Sequence, residues 1–460
     1  MLPTGHRRHA VKTFCVFNAG TMERRFMQVV SSKQEGIAIR NSLAQRSETA
    51  VRTALEGRAR GLRAFLPFVG PAVIASVGYM DPGNYATNIQ AGAQYGYGLL
   101  WVVILSSVLA MLFQALSARI GIATGCNLAE LCRDHFPRPV VLIMWLGSEL
   151  AAMATDLAEF LGGALALSLV LHQSLLAGMF ETAVVTFAFL ALDKRGYRPL
   201  ELVIGAMVAL IGVCYVCELW IAPVNWGDVA ASALLPRVQD HSALVLAIGI
   251  VGATIMPHTL YLHSGLTQKR APARNRAEML THLRYSNREV ILALGAAGCV
   301  NMAMVIMAAS AFHATSPDIA DLAVAYHALI PALGAGAAAI FLTGLLASGL
   351  SSSVVGTMAG QMIMEGFVHR SIPAWVRRLV TIIPSFGVLV TGCNVTHAML
   401  ISQVVLSMTL PMPMMALLIF SRRRALMGEL VIGKTTFCVA AAGALVVGAL
   451  NVVLIAQAFN

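Results

Sequence analysis

The chain has 460 residues, 58% hydrophobic and only 12% charged, about half the charged share of a soluble domain. That composition excludes a soluble enzyme and predicts an all-α polytopic membrane protein. The net charge of +10 is no sign of nucleic-acid binding, because nearly all of it falls on one side of the predicted spans.

Residues 1–62 are polar and Arg-rich. No apolar run follows the early charges, so they do not read as a secretory signal. They read as a disordered cytoplasmic tail, or as an extension upstream of a start at Met22 or Met27. Residues 63–460 read as one transporter domain. Eleven apolar spans are expected at about 65–92, 98–118, 140–168, 175–192, 200–217, 243–266, 289–312, 328–356, 379–393, 397–420 and 436–458. With a cytoplasmic N-terminus and an external C-terminus, 31 of the 32 Lys and Arg lie on the cytoplasmic side and only Arg237 lies outside. That asymmetry fixes orientation and the parity of the spans. The eight cysteines are scattered; Cys214 and Cys217 form a CxxC inside an apolar helix and read as packing.

The first and sixth spans are interrupted. Asp81-Pro82-Gly83-Asn84 breaks the first: Pro82 removes a backbone donor and Gly83 lets the chain turn. Met256-Pro257-His258 breaks the sixth. Hydrocarbon offers no water to freed backbone groups, so such breaks persist only around a protein-lined site. Spans one to five (63–217) and six to ten (243–420) then form two repeats. Five is odd, so the second inserts upside down, with the site at the midplane between them. The span at 436–458 stands outside the repeat.

The breaks gather one carboxylate (Asp81), one amide oxygen (Asn84), one thioether (Met256) and carbonyls such as those of Gly78 and Ala253. Mg²⁺ and Ca²⁺ take oxygen only, whereas a sulfur suits Mn²⁺, Fe²⁺ and softer ions. Span three carries Glu149, Asp156 and Glu159, within about 80° of one another on a helix. Intramembrane acids so placed read as a proton route or a set of ion-pair partners, and Arg377 and Arg378 are the partners to hand. The same two arginines also fit plain positive-inside topology. His258 and His263 read as relays or as packing residues; five apart, they converge only if the break brings them together. Gln403, polar within span ten, reads as a completion of the site, a gate, or an interhelical hydrogen bond.

Other classes fit less well. A sodium-coupled symporter of organic substrates would favour a hydroxyl-lined ion site. A metal sensor would need a soluble output module, and a channel would show rings of polar pore residues.

Met80–Thr87, Gly252–His258 and Ala154–Phe160 resemble the Nramp divalent-metal transporters, in particular their bacterial proton-coupled manganese members. The likeness runs from about Leu62 to the end and includes Ala347–Gln361, Trp375–Arg378 and Ser402–Leu406. Thr259 departs from the Asn that many relatives carry there. The resemblance implies a LeuT-like 5+5 inverted repeat in the bacterial inner membrane, with Mn²⁺, and Fe²⁺ or similar ions, moving into the cytoplasm together with H⁺. It implies metal binding by Asp81, Asn84, the Ala253 carbonyl and Met256, with Gln403 joining in some states. It gives proton handling to Asp81, Asp156, Glu159 and His258, and a salt-bridge network to Glu149, Arg377 and Arg378. The metal and the proton are cargo. No resident cofactor, obligate protein partner or enzymatic activity is expected.

Overall fold

The computed structural model describes residues 49–193, 197–268, 270, 275–316, 319, 321–369 and 372–458. The tail up to 48, and Lys194, Arg195, Lys269, Arg274 and Arg370 among the charges counted above, lie outside the described residues. Among the described residues the chain is helical throughout, with no strand.

In chain order the main helices are α1 (Pro71–Val77), α2 (Pro82–Tyr95), α3 (Leu100–Thr124), α4 (Arg138–Val170) and α5 (Leu175–Asp193). They continue as α6 (Tyr197–Ile221), α7 (His241–Thr254), α8 (Pro257–Gln268), α9 (Arg276–Phe312) and α10 (Ala335–Val368). The last are α11 (Ala374–Thr391), α12 (Val395–Thr409), α13 (Pro411–Arg422) and α14 (Lys434–Ala458). Among the described residues eight helices are long and apolar enough to cross a membrane, and nine if the pair bent by 57° before Met80 is one span. The remaining two expected spans are α5 and α11. The first has a shorter apolar stretch, and the second carries Arg377 and Arg378 near its start.

Several boundaries move; the seventh span, expected at 289–312, begins at Arg276, and the second, expected to end at 118, runs to Thr124. The eighth span, expected at 328–356, begins at Ala335 and runs to Val368. Gly334, at φ 95°, ends the preceding short helix Leu322–Leu333 and turns the chain. The ninth, expected at 379–393, begins five residues earlier at Ala374, after Pro373, which places both arginines inside the helix.

Order also begins before residue 62. A helical segment ends at Leu55, and its Val51, Ala54 and Leu55 pack with Ala64 and Phe68. Arg52 pairs with Glu278 at the start of α9, 2.9 Å apart.

Packing distinguishes a lipid face from an inner face. On α4, Leu146 and Leu150 are exposed, whereas Asp156 and Glu159 are buried. α4 and α10 approach so closely that a Cβ on Gly349 would lie 2.7 Å from the Gly163 nitrogen, the small-residue contact that membrane helices favour.

Candidate metal site

The first break is built by local chemistry. Asp81 has extended backbone (φ −73°, ψ 168°) and caps α2, accepting from the Asn84 N–H at 2.9 Å, with Pro82 at the first helical position. The carbonyls freed upstream find partners on other helices. Asn301 Nδ2 of α9 donates to Tyr79 O at 2.7 Å, and Ser348 Oγ of α10 donates to Met80 O at 2.5 Å. The second break lies at Ile255–Met256, between α7 and α8, and leaves Ala253 O pointing across to the first.

The side chains meet there. Asn84 Nδ2 donates to Asp81 Oδ1 at 2.6 Å and to Ala253 O at 3.0 Å. This network fixes the amide orientation and leaves Asn84 Oδ1 turned away from those acceptors. Asp81 Oδ2, Asn84 Oδ1 and Gln403 Oε1 are buried without a hydrogen-bond partner. Asp81, Asn84, Met256 and Gln403 are all fully buried. The Gln403 amide sits against Gly83, where a Cβ would collide with it, so Gln403 of α12 closes over the first break. Met256 Sδ lies 3.1 Å from the place a Cβ on Gly78 would take. Buried oxygens left unpaired are costly, and three of them beside a thioether make a donor set for a divalent ion that tolerates sulfur. Among the described residues no three His, Cys, Asp or Glu side chains gather to hold a metal; this set pairs a single carboxylate with amides, a carbonyl and sulfur.

Beside it, α4 carries the acids. Arg378 Nη1 donates to Asp156 Oδ1 at 2.8 Å, and its Nη2 to Ser353 Oγ at 2.9 Å. Arg377 Nη2 lies 2.9 Å from Glu149 Oε2. Arg378 is fully buried and Arg377 nearly so, so neither is a surface charge marking topology. Neither oxygen of Glu159 has a partner. Glu159 Oε2 and Asp156 Oδ1 both face Gly356 of α10, 2.7 and 2.9 Å from where its Cβ would be.

The two histidines do not converge. The break precedes both, and they lie on the unbroken α8. His258 Nδ1 meets Thr155 Oγ1 of α4 at 3.2 Å, whereas His263 Nδ1 meets Gln114 Oε1 of α3 at 2.8 Å. Gln114, which sequence reasoning passed over, also donates to Tyr79 Oη at 2.9 Å and Thr259 Oγ1 at 2.8 Å. Its only sequence signal is an amide within an apolar helix. Thr259, the departure from the family pattern, is thus part of a bonded network.

The two sides of the site differ. Towards the C-terminal end of α2, a cavity of about 660 Å³ is lined by Gln90, Tyr95, Asp240, His241 and His397. The Ala243 N–H, then the Tyr95 hydroxyl, hold the Asp240 carboxyl below the usual carboxylate range, so the mouth carries a negative charge. The opposite end of α1 is bolted. Glu289 Oε1 accepts from Gly70 N at 2.6 Å and Ala72 N at 2.9 Å. Arg270 donates to Val69 O at 2.6 Å and to Glu201 at 2.7 Å. Sequence alone counted Arg270 for topology and gave Glu289 and Glu201 no role.

Comparison with known proteins agrees with this geometry. The family model for Nramp, natural resistance-associated macrophage protein-like, matches residues 72–457. A divalent metal cation transporter MntH of Burkholderia ambifaria is 58% identical over 438 residues, 94% of this chain and 99% of the relative. One from Granulibacter bethesdensis is 59% identical over 420 residues, 91% and 95% of the two chains. The solved manganese transporter of Eremococcus coleocola superposes with a TM-score of 0.80 at 31% identity, over 87% of this chain and 88% of that one. The nucleobase-cation-symport-1 transporter MHP1 shares the fold at a TM-score of 0.56 and 14% identity, over 80% and 82% of the chains. With its LeuT-like arrangement of broken helices, this chain belongs to the Nramp family of membrane transporters.

Proposed function

We propose that this protein carries divalent transition-metal ions, Mn²⁺ foremost and Fe²⁺ and similar ions besides, into the bacterial cytoplasm together with H⁺, by alternating access between its two repeats. The observation that carries the reading is the trio of unpartnered buried oxygens, Asp81 Oδ2, Asn84 Oδ1 and Gln403 Oε1, beside Met256 at the meeting of two broken helices. The manganese and divalent-metal transport named for the relatives supports it.

In this reading the ion enters through the cavity lined by Asp240 and sheds water at the break. Asp81, Asn84, the Ala253 carbonyl and Met256 take the place of that water, with Gln403 joining as the site closes. Asp81 binds the ion as a carboxylate, so a proton it holds passes to Glu159 and Asp156 on α4. Arg378 and the Glu149–Arg377 pair set the charge along that route, and His258 borders it through Thr155. Release requires α1 to leave Glu289 and Arg270 while the cavity side closes. Membrane potential favours the inward step by ~2.3 kcal/mol per charge per 100 mV.

The test is Mn²⁺ uptake into proteoliposomes, wild type beside Asp81→Ala, with and without an inward proton gradient and with internal pH recorded. Gradient-stimulated Mn²⁺ entry with acidification, abolished in the variant, is the expected result. Normal uptake by Asp81→Ala would remove the site. Uptake indifferent to the gradient would remove the coupling assigned to α4.

A further inference from the structure

One buried acid lies outside this machinery. α6 turns Ile211, Cys214, Tyr215 and Glu218 inward, while Val213, Val216 and Trp220 are exposed. Glu218 thus occupies a core position of the inner stripe. It is fully buried, and neither carboxyl oxygen has a hydrogen-bond partner. The hydroxyls of Tyr85 and Tyr215 are likewise buried and unpartnered. Their rings meet edge to face with centroids 5.5 Å apart. Tyr85 Oη points at α10, 2.7 Å from where a Cβ on Gly344 would sit, and that same point lies 3.6 Å from Cys214 Cβ. The hydroxyl therefore enters the seam between α2, α6 and α10 at the level of Cys214, one turn before Glu218.

Among the described residues, the helices packed against α6 bring no cation to this seam. Of the elements packed against α6, α1 has no titratable side chain and α10 has none before Glu365. α9 brings Cys299 in the half beyond Glu289, where it is exposed. α5 brings Glu181, already bonded to Gln173. Tyr85, Tyr215, Cys214 and Cys217 are the remaining titratable neighbours; the short helix Leu322–Leu333, packed against α2 and α10, adds a half-buried Tyr326 and an exposed His327. A carboxylate with no cation and no fixed donor is the costliest form this group can take in a dry site, and a neutral acid is the cheapest. A carboxylic acid offers one O–H to a phenol oxygen and a carbonyl oxygen to a phenol O–H, so with a proton on Glu218 the three groups satisfy one another and no uncompensated charge is left in the seam.

We propose that Glu218, flanked by the hydroxyls of Tyr85 and Tyr215, is a second proton-binding site of this protein, separate from the acids of α4. It holds one proton while α2, α6 and α10 stay packed. It gives that proton to water, leaving a carboxylate, when the seam parts. Tyr85 directly follows Asn84, so the movement that remakes the metal site also moves one wall of this seam. The presence of the proton does not depend on the transport reading; its link to transport rests on it.

Infrared absorption of the purified protein at neutral pH tests the site. Wild type minus Glu218→Gln should show a carboxylic-acid carbonyl band that is lost in the variant, and Tyr85→Phe or Tyr215→Phe should shift that band. Spectra in which Glu218→Gln removes no such band would overturn the proposal. If Glu218→Gln does not fold, an unshifted wild-type band in both Phe variants would overturn it equally. The link to transport is read from Mn²⁺ uptake against external pH. Glu218→Gln should flatten the profile while uptake persists, and an unchanged profile would sink the link. Absence of Mn²⁺ uptake by wild type would instead count against the proposed function and leave the infrared result standing.

Discussion

At the scale of single residues, the site was legible because its chemistry is unusual for a membrane. A carboxylate, two prolines and a glycine inside apolar segments have few structural uses. What the sequence does not carry is the matching of partners. Arg377 and Arg378 are adjacent, yet one meets Glu149 and the other Asp156, because neighbouring residues on a helix point about 100° apart. Two histidines five apart face α4 and α3 separately for the same reason. The Arg378–Asp156 pair gives a direct expectation. Both partners are buried, so removing one strands the other at a cost of about 3–5 kcal/mol. Arg378→Ala should therefore lower the unfolding temperature in detergent by several degrees. Arg378→Met combined with Asp156→Leu should recover much of that loss, since no lone charge remains, yet should not recover acidification during Mn²⁺ uptake. A double variant as unstable as the single one would show that the pair's hydrogen bonds, and not a stranded charge, set the cost.

Elements bring in what residues alone cannot. The breaks in spans one and six were readable from Pro and Gly, but their stability comes from elsewhere: Asn301 and Ser348 bind the freed carbonyls from α9 and α10. An amide or hydroxyl within an apolar helix has many uses, and its partner depends on helix rotation that periodicity does not fix. The bolt on α1 was hidden for a related reason. Arg270 sits near a span end, where a basic residue is expected for topology alone, and Glu289 and Glu201 at other span ends carry no such signal. Gly70 is the hinge of this bolt. Its φ of 153° is rare for other residues, and a Cβ there would collide with the Glu201 carboxylate and crowd Arg270. Gly70→Ala should therefore loosen the Glu289 and Arg270 contacts and favour the arrangement in which α1 swings free. In a cysteine-free background carrying Ser76→Cys, a side chain fully buried in this arrangement, the added alanine should raise maleimide reactivity from the cytoplasmic side several-fold. Equal reactivity with and without Gly70→Ala would mean that α1 is held by its apolar packing and not by the bolt.

For the whole molecule, charge gives the expected orientation. Counting the sequence as it stands, 31 of 32 Lys and Arg fall on one side of the expected eleven spans, and 29 still do once Arg377 and Arg378, buried within α11, are set aside. Shifts such as those at α10 and α11 move span ends by several residues without exchanging a loop between sides, so the parity survives them. In the orientation expected from that count, the cavity mouth with its ionised Asp240 would face outside and the bolted end of α1 inside, and cations would gather at the entry and not at the exit. Cys393 offers a test. It is an exposed free cysteine in the turn between α11 and α12, which this orientation puts on the external side, whereas Cys126, between α3 and the short helix Leu128–His135, falls on the cytoplasmic side. A membrane-impermeant maleimide added to spheroplasts should label the protein, and Cys393→Ser should remove most of that label while Cys126→Ser leaves it. In inside-out vesicles Cys393→Ser should leave the label, and in a Cys15→Ser, Cys438→Ser background Cys126→Ser should remove most of it. Labelling of Cys126 from outside would invert the molecule, place the bolt at the external face, and turn the proposed importer into an exporter by the same geometry.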